Sequence, residues 1–289
     1  MPVMCGLCGR SRAAYYRASS GHKLCARCLF RVLERSVGRS VSRAGFLRRG
    51  EPLLVPVTFS DPTASLALAL ILSIVERKHE SLVHVVVPEV IEVAGDSLRL
   101  LGHGNTVLYR ARLNPVPTGP VDAMALVRFD RAWSLLAAEE LGVRSVMVPL
   151  NRTQTTLLGL EVMISGDPSG WWDLAGSLEI RGIRVLAPMD GIEAEAIAAY
   201  SYFKGLQARS PARPLYKLKG VFTAVLEGGG RELEFSSARV IQALSEASSY
   251  GLGGRCRGCG APSGGDYCKW CAAMGVKGLS VELEGPLRP

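Results

Sequence analysis

No cysteine lies between Cys28 and Cys256, a gap of 227 residues in a chain of 289. The middle of the molecule therefore offers no thiol to anchor an iron–sulfur cluster or to carry a persulfide. Long apolar runs are missing as well. The longest, Leu66 to Val75, has ten residues broken by Ser73, half of what a membrane-spanning helix needs. A membrane span is disfavoured, and this run is expected to form a buried core helix. No charged-then-apolar leader precedes Met4-Cys5-Gly6-Leu7-Cys8, so a cytoplasmic location is expected in place of secretion. Acids are nearly absent from residues 1–50, where Glu34 stands alone against eleven Lys and Arg.

What is present is an ordinary globular composition, 48% hydrophobic and 21% charged, with enough apolar material for a full core. The length allows one large domain with appendages or two domains. The net charge of +8 is confined to the first fifth of the chain: residues 1–50 carry +10 and the rest −2. Arg27, Arg31, Arg35, Arg39 and Arg43 recur every fourth residue. On a helix, each step rotates by about 40 degrees, so the five guanidiniums cover one broad flank. Leu29, Phe30, Val32, Leu33 and Val37 fall mostly on another side and pack inward. Such a surface displaces counterions from a nucleic-acid backbone, and the arginine fork suits phosphate oxygens. The plainer alternative is a solvated helix face.

The eight cysteines form two groups of four: Cys5-x2-Cys8-x16-Cys25-x2-Cys28 and Cys256-x2-Cys259-x8-Cys268-x2-Cys271. Each C-x2-C turn brings two thiolates to one ion, and two such turns complete a tetrahedron, the pattern of structural zinc. Disulfides are disfavoured, since nothing in the sequence indicates an oxidising compartment. A closed four-thiolate site leaves no position for water and is structural. His22 is a competing ligand for the first site, three residues before Cys25. A zinc ion with four thiolates carries −2, which trims the N-terminal excess to about +8.

Between the clusters, strands are expected at residues 53–59, 81–87, 144–148 and 183–186. Helices are expected at 63–78, 122–141, 153–164, 192–204 and 236–246. Such alternation indicates a parallel sheet with helical crossovers. Pro56 suggests an edge position or irregular pairing for the first strand, and residues 89–121 suggest a hairpin insertion. In a sheet of this kind the nucleotide site lies beyond the strands' carboxyl ends at the switch in strand order. The first strand-to-helix turn reads Ser60-Asp61-Pro62-Thr63-Ala64-Ser65. It is a poor phosphate cradle: Pro62 has no N–H, Asp61 repels anions, and there is no lysine. Asp61 or Thr63 is placed to cap the following helix.

With both cysteine modules and this turn in view, the layout resembles the two-thiouridine synthetases, ATP-dependent tRNA sulfurtransferases of the PP-loop ATP pyrophosphatase type with two zinc fingers. The family's Ser-Gly-Gly-Lys-Asp-Ser loop falls on Ser60 to Ser65, followed by the matching Leu66-Ala67-Leu68. A second motif, Gly-His-Asn-x-Asp-Asp through Arg-Gly-Asp, falls on Pro149 to Gln154 and Ser165-Gly166-Asp167, and Tyr202 to Leu206 also looks like the family. The resemblance implies an α/β fold: a Rossmann-like PP-loop ATPase domain (adenine nucleotide α-hydrolase-like) over residues 51–250. Zinc-knuckle modules at 1–50, with the basic helix, and at 251–289 flank it.

The departures fall on chemistry. Asp61, Pro62, Thr63 and Ala64 replace the loop's glycines, lysine and aspartate, while Thr153 and Gln154 replace the paired aspartates. Ala123, Leu126 and Ser210 stand where cluster-bearing members carry cysteine. The expected cofactors are two structural zinc ions, without an iron–sulfur cluster and with ATP disfavoured. Three readings follow. The first is a catalytically degenerate paralogue that binds tRNA, with the five arginines as its RNA-binding residues, or that supports a catalytic paralogue or sulfur-carrier system. The second is an active sulfurtransferase with altered motifs, relying on Ser60, Thr63, Ser65, Asn151 and Asp167. The third is a zinc-stabilised interaction module, a homodimer among its forms, using Tyr15, Tyr16, Tyr267 and Trp270.

Overall fold

The computed structural model describes residues 2–18, 20–45, 48–102, 104–228, 231–248 and 254–287. In chain order the elements are β1 (Tyr15–Arg17), β2 (His22–Leu24), α1 (Ala26–Ala44), β3 (Leu53–Pro56), α2 (Pro62–Glu76), β4 (Val83–Pro88), β5 (Glu92–Val93) and α3 (Gly95–Leu101). There follow β6 (Thr106–Asn114), β7 (Gly119–Asp122), α4 (Ala123–Glu140), β8 (Ser145–Met147), α5 (Arg152–Ser165), α6 (Ser169–Trp172), β9 (Ser177–Ile180) and β10 (Ile183–Leu186). The last are α7 (Ala194–Lys204), β11 (Ala208–Arg209), β12 (Ala212–Leu215), α8 (Lys219–Glu227), α9 (Arg231–Ser248), α10 (Lys269–Ala273) and β13 (Ser280–Leu287).

Seven strands form the main sheet in the order β13-β6-β4-β3-β8-β10-β9. The five inner strands run parallel, and β13 and β9 close the two edges antiparallel. The chain starts at β3, moves out to β4 and β6, then returns across the start to β8 and β10. The order therefore reverses between β3 and β8, which is the switch point. The reversal also puts α2 and α4 on opposite faces, because each crossover is right-handed. Helices α1, α2 and α7 pack together, while α5 and α6 stack on α9.

The expected parallel α/β sheet is present, and two local expectations are corrected. Pro56 does not mark an edge: β3 is the central strand. It is tolerated because it ends the strand, and β8 pairs with β3 at Leu54 alone. Residues 89–121 are not a hairpin insertion either. They supply β6, a full parallel strand of the main sheet. The helix expected at 236–246 is longer, and the closing strand β13 comes from beyond the second cysteine group.

Local chemistry explains the helices that frame the switch point. Asp61 caps α2 by accepting from Ala64 N, with Pro62 in the first turn, where a missing N–H does no harm. Asp122 caps α4. Asn151 and Gln154 form a reciprocal capping box on α5. The α2 run Leu66 to Leu72 is buried throughout, as its apolar composition requires. No helix among the described residues is long and apolar enough to cross a membrane.

Candidate functional site

The turn after β3 and the start of α5 meet at the switch point, as the two sequence motifs imply. The turn's own hydrogen bonds are closed inward. Thr58 N donates to Ser65 Oγ at 3.0 Å, and Asp61 N to Thr58 Oγ1 at 3.3 Å. Ala64 N donates to Asp61 Oδ1 at 3.0 Å, and Ser65 N to Asp61 O at 3.1 Å. Phe59 N and Ser60 N donate to the two carboxylate oxygens of Asp130, at 2.8 and 2.9 Å. Six of the seven backbone N–H groups from Thr58 to Ser65 therefore already serve the protein. A carboxylate supplied by α4 sits where a phosphate cradle would present donors to its ligand.

That carboxylate is buried. Burial pushes Asp130 up to about 6, against the opposing pull of the Ser60, Phe59 and Trp133 donors. Asp61 is likewise raised by burial, partly offset by Ala64 N–H and by Gln154, whose Nε2 donates to Asp61 Oδ2 at 3.1 Å. Tyr216 sits over both. Burial first, then the charges of Asp61, Glu161 and Asp130, raise its phenol above the usual value, so it stays neutral. The cation in the wall is engaged: Arg131 binds Asp173 at 2.5 Å, and Asp173 also holds Arg128 at 2.5 Å. The cavity bounded by Ser60, Asp130, Leu150, Gln154 and Tyr216 measures about 40 Å³. Pockets that hold small-molecule ligands typically measure roughly 300–1,000 Å³. A separate cleft of about 350 Å³ lies on the far side of Gln154 and Tyr216, walled by Leu157, Phe222 and Leu226.

The remaining sequence candidates separate. Asn151 is buried and spends its side chain on the α5 cap. Asp167 lies past the opposite end of α5, roughly 20 Å away at 1.5 Å per residue. There it binds Ser169 and accepts from Lys269 Nζ at 2.6 Å, which ties α5 to the C-terminal module. Thr63 Oγ1 donates to Ala208 O at 3.3 Å. Ala123 and Leu126 are buried in α4, and Ser210 Oγ accepts from Ala212 N. Sequence reasoning missed Arg128, Asp130, Arg131 and Asp173. The signal was three charges within four residues of an otherwise apolar helix.

Both cysteine groups converge. Within each, the four Sγ atoms lie within 4.8 Å of one another. Cys8 and Cys25 are 3.9 Å apart, and Cys259 and Cys268 are 3.8 Å apart. One tetrahedral ion with Zn–S bonds of about 2.3 Å sets its sulfurs about 3.8 Å apart, so the geometry fits a single metal. A four-iron cluster binds each thiolate through a different iron and spreads the sulfurs wider. His22 is exposed and turns its Nδ1 to Ser20 Oγ at 3.0 Å, outside the first group. Gly260 is required at the second: its φ is +75°, and a Cβ there would lie 2.5 Å from Ile180.

Arg27, Arg31, Arg35, Arg39 and Arg43 are all exposed along α1, opposite buried Leu29, Leu33, Val37 and Val41. None is ion-paired to an acid among the described residues. Tyr15, Tyr267 and Trp270 pack on the core, whereas Tyr16 is exposed.

No family model matches the chain. An 80-residue stretch is 31% identical to cytoplasmic tRNA 2-thiolation protein 1 of Danio rerio, covering 28% of this chain and 23% of that protein. The Drosophila ananassae protein of the same name is 35% identical over 81 residues, again 28% and 23% of the two chains. The match thus spans about a quarter of these relatives' length. Over most of the chain the fold is similar to that of the U34-tRNA thiolase NcsA from Methanococcus maripaludis with its [4Fe-4S] cluster. The TM-score is 0.70 at 17% identity, covering 93% of this chain and 94% of that one. The resemblance to tRNA thiolation proteins read from the motifs is borne out, and the fold is that of a tRNA thiolase.

Proposed function

We propose that this chain is a non-catalytic, tRNA-binding component of cytoplasmic tRNA thiolation, acting beside an active subunit or sulfur-carrier system. The observation that carries the reading is Asp130. Its carboxylate takes the Phe59 and Ser60 N–H groups and leaves a cavity of about 40 Å³ at the switch point. The PP-loop-like turn keeps its place in the fold and has lost its use as an anion cradle. The relatives are named for tRNA 2-thiolation, which supports tRNA as the ligand. The exposed arginines of α1 supply the charge to hold it.

In this reading both tetrathiolate sites hold zinc. Cys5, Cys8, Cys25 and Cys28 would pin the N-terminal hairpin to the start of α1. Cys256, Cys259, Cys268 and Cys271 would pin the C-terminal module against α4. The ions supply folding energy there and no reaction chemistry.

The test is tRNA affinity across a salt series for the wild type and the double variant Arg31→Glu/Arg35→Glu. The variant is expected to bind at least about tenfold more weakly, with a log–log salt slope shallower by about 2. Unchanged affinity and slope would remove α1 from the interface.

A further inference from the structure

A polar groove of about 530 Å³ runs between α1 and the segments 175–177 and 186–191, with Gln242 of α9 in its wall and Ala175 shared with the switch-point cavity. Helix α1 lines it with Arg39 and Arg43, one turn apart, and Asp190, Gly191 and Gln242 line its other side. Past these three residues lies a smaller pocket of about 160 Å³, walled by Arg152, Thr155, Phe235 and Arg239. Phe235, Arg239 and Gln242 follow one face of α9 at helical spacing. The two openings therefore share a wall and form one continuous surface.

The inner pocket is lined by buried polar atoms that lack hydrogen-bond partners among the described residues. Thr155 is 5% exposed and its hydroxyl has no hydrogen-bond partner. Arg152, also 5% exposed, leaves its Nε without a hydrogen bond, 3.5 Å from Glu234 Oε1. A buried polar atom left unpaired is destabilising, and a ligand that pairs with it relieves that cost. Phe235 is 52% exposed, with the Arg152 guanidinium 5.8 Å from its ring centroid. One aromatic face is thus backed by a cation while the ring stays open to solvent.

Charge decides which part of a ligand goes where. The positive charge of Arg152 is already answered by Glu193 at 3.0 Å and by Glu234. The carboxyl of Asp190 borders both openings. Arg39 and Arg43 in the groove and Arg239, exposed on the pocket's wall, have no acid partner among the described residues, whereas the buried cation of the pocket, Arg152, is already neutralised. A flat, neutral, hydrogen-bonding ring suits the pocket, and anionic groups suit the groove.

We infer that the surface between α1 and α9 binds a single-stranded stretch of RNA, with phosphates on Arg39 and Arg43 and one unstacked base inserted against Phe235 and Thr155. A duplex cannot serve, because its bases are buried in the stack and would have to be everted. The inference rests on the tRNA-binding reading and adds where, and in what conformation, the RNA is held.

The test is fluorescence anisotropy with a short labelled single-stranded RNA and a duplex RNA of the same length. The proteins are the wild type, Phe235→Ala, Thr155→Val and Arg31→Glu/Arg35→Glu. The wild type is expected to prefer the single strand. Phe235→Ala should weaken that binding about tenfold and leave the duplex unaffected, as stacking on an aromatic ring predicts. Thr155→Val keeps the side chain's shape and should cost about fivefold. The inference is overturned if both single variants bind the single strand within twofold of wild type while the arginine variant weakens it, for then RNA binds on α1 alone. If the wild type binds neither RNA, the tRNA-binding reading falls and the inference falls with it.

Discussion

Asp130 reaches the switch-point turn from 70 residues further along the chain, and its ionisation sets a testable pH dependence. Its folded value is raised to about 6, above the ordinary carboxylate value of about 4. A group raised on folding stabilises the native state fully below its unfolded pKa, and that contribution is lost as pH rises through the folded one. Between pH 5 and 7 the melting temperature of the metal-loaded wild type should therefore fall relative to that of Asp130→Asn, which cannot ionise. Parallel curves would contradict the buried, ionising carboxylate. Part of this chemistry is legible in the sequence. Asp61 and Pro62 mark the turn as hostile to phosphate, and the Asp61 cap follows from its position before α2. Asp130 is not legible there, because nothing local to α4 says which distant N–H groups it meets.

At the scale of the element, legibility follows how local the controlling interactions are. The C-x2-C turns, the Asp61 cap of α2 and the arginine spacing of α1 each act within a few residues, and each is visible in the sequence. Strands β6 and β13 are not. Their pairing is set by neighbours far along the chain, and the alternation in β13 of exposed and half-buried residues suits a sheet edge without naming its partner. The sulfur spacing in the two modules leads to a measurement. Metal analysis of the purified protein is expected to give two zinc ions per chain and no iron, and chelation should lower the melting temperature. Iron in stoichiometric amount, with the visible absorption of a cluster, would contradict the single-ion geometry.

Across the whole molecule, the terminal modules are tied into the α/β core, by a half-buried ion pair at the N-terminal end and by an exposed ion pair and a cation–ring contact at the C-terminal end. Arg17 of the N-terminal hairpin meets Glu193 at 2.8 Å, and Glu193 also holds Arg152 at the start of α5. At the other end, Lys269 meets Asp167, and Arg255 lies over Trp172 at 5.3 Å. Removing one partner of the buried Arg152–Glu193 pair is expected to cost about 3–5 kcal/mol, and Arg17 ties the N-terminal hairpin to the same carboxylate. The result is a scaffold with a basic N-terminal helix and a turn whose N–H groups pair within the protein. Calorimetric titration with Mg-ATP, with and without saturating tRNA, tests that account most directly. The account predicts no saturable ATP binding in either titration by a protein that still binds tRNA. Saturable ATP binding that is lost when Pro62 or Ser60 is replaced by a bulky acid would contradict it.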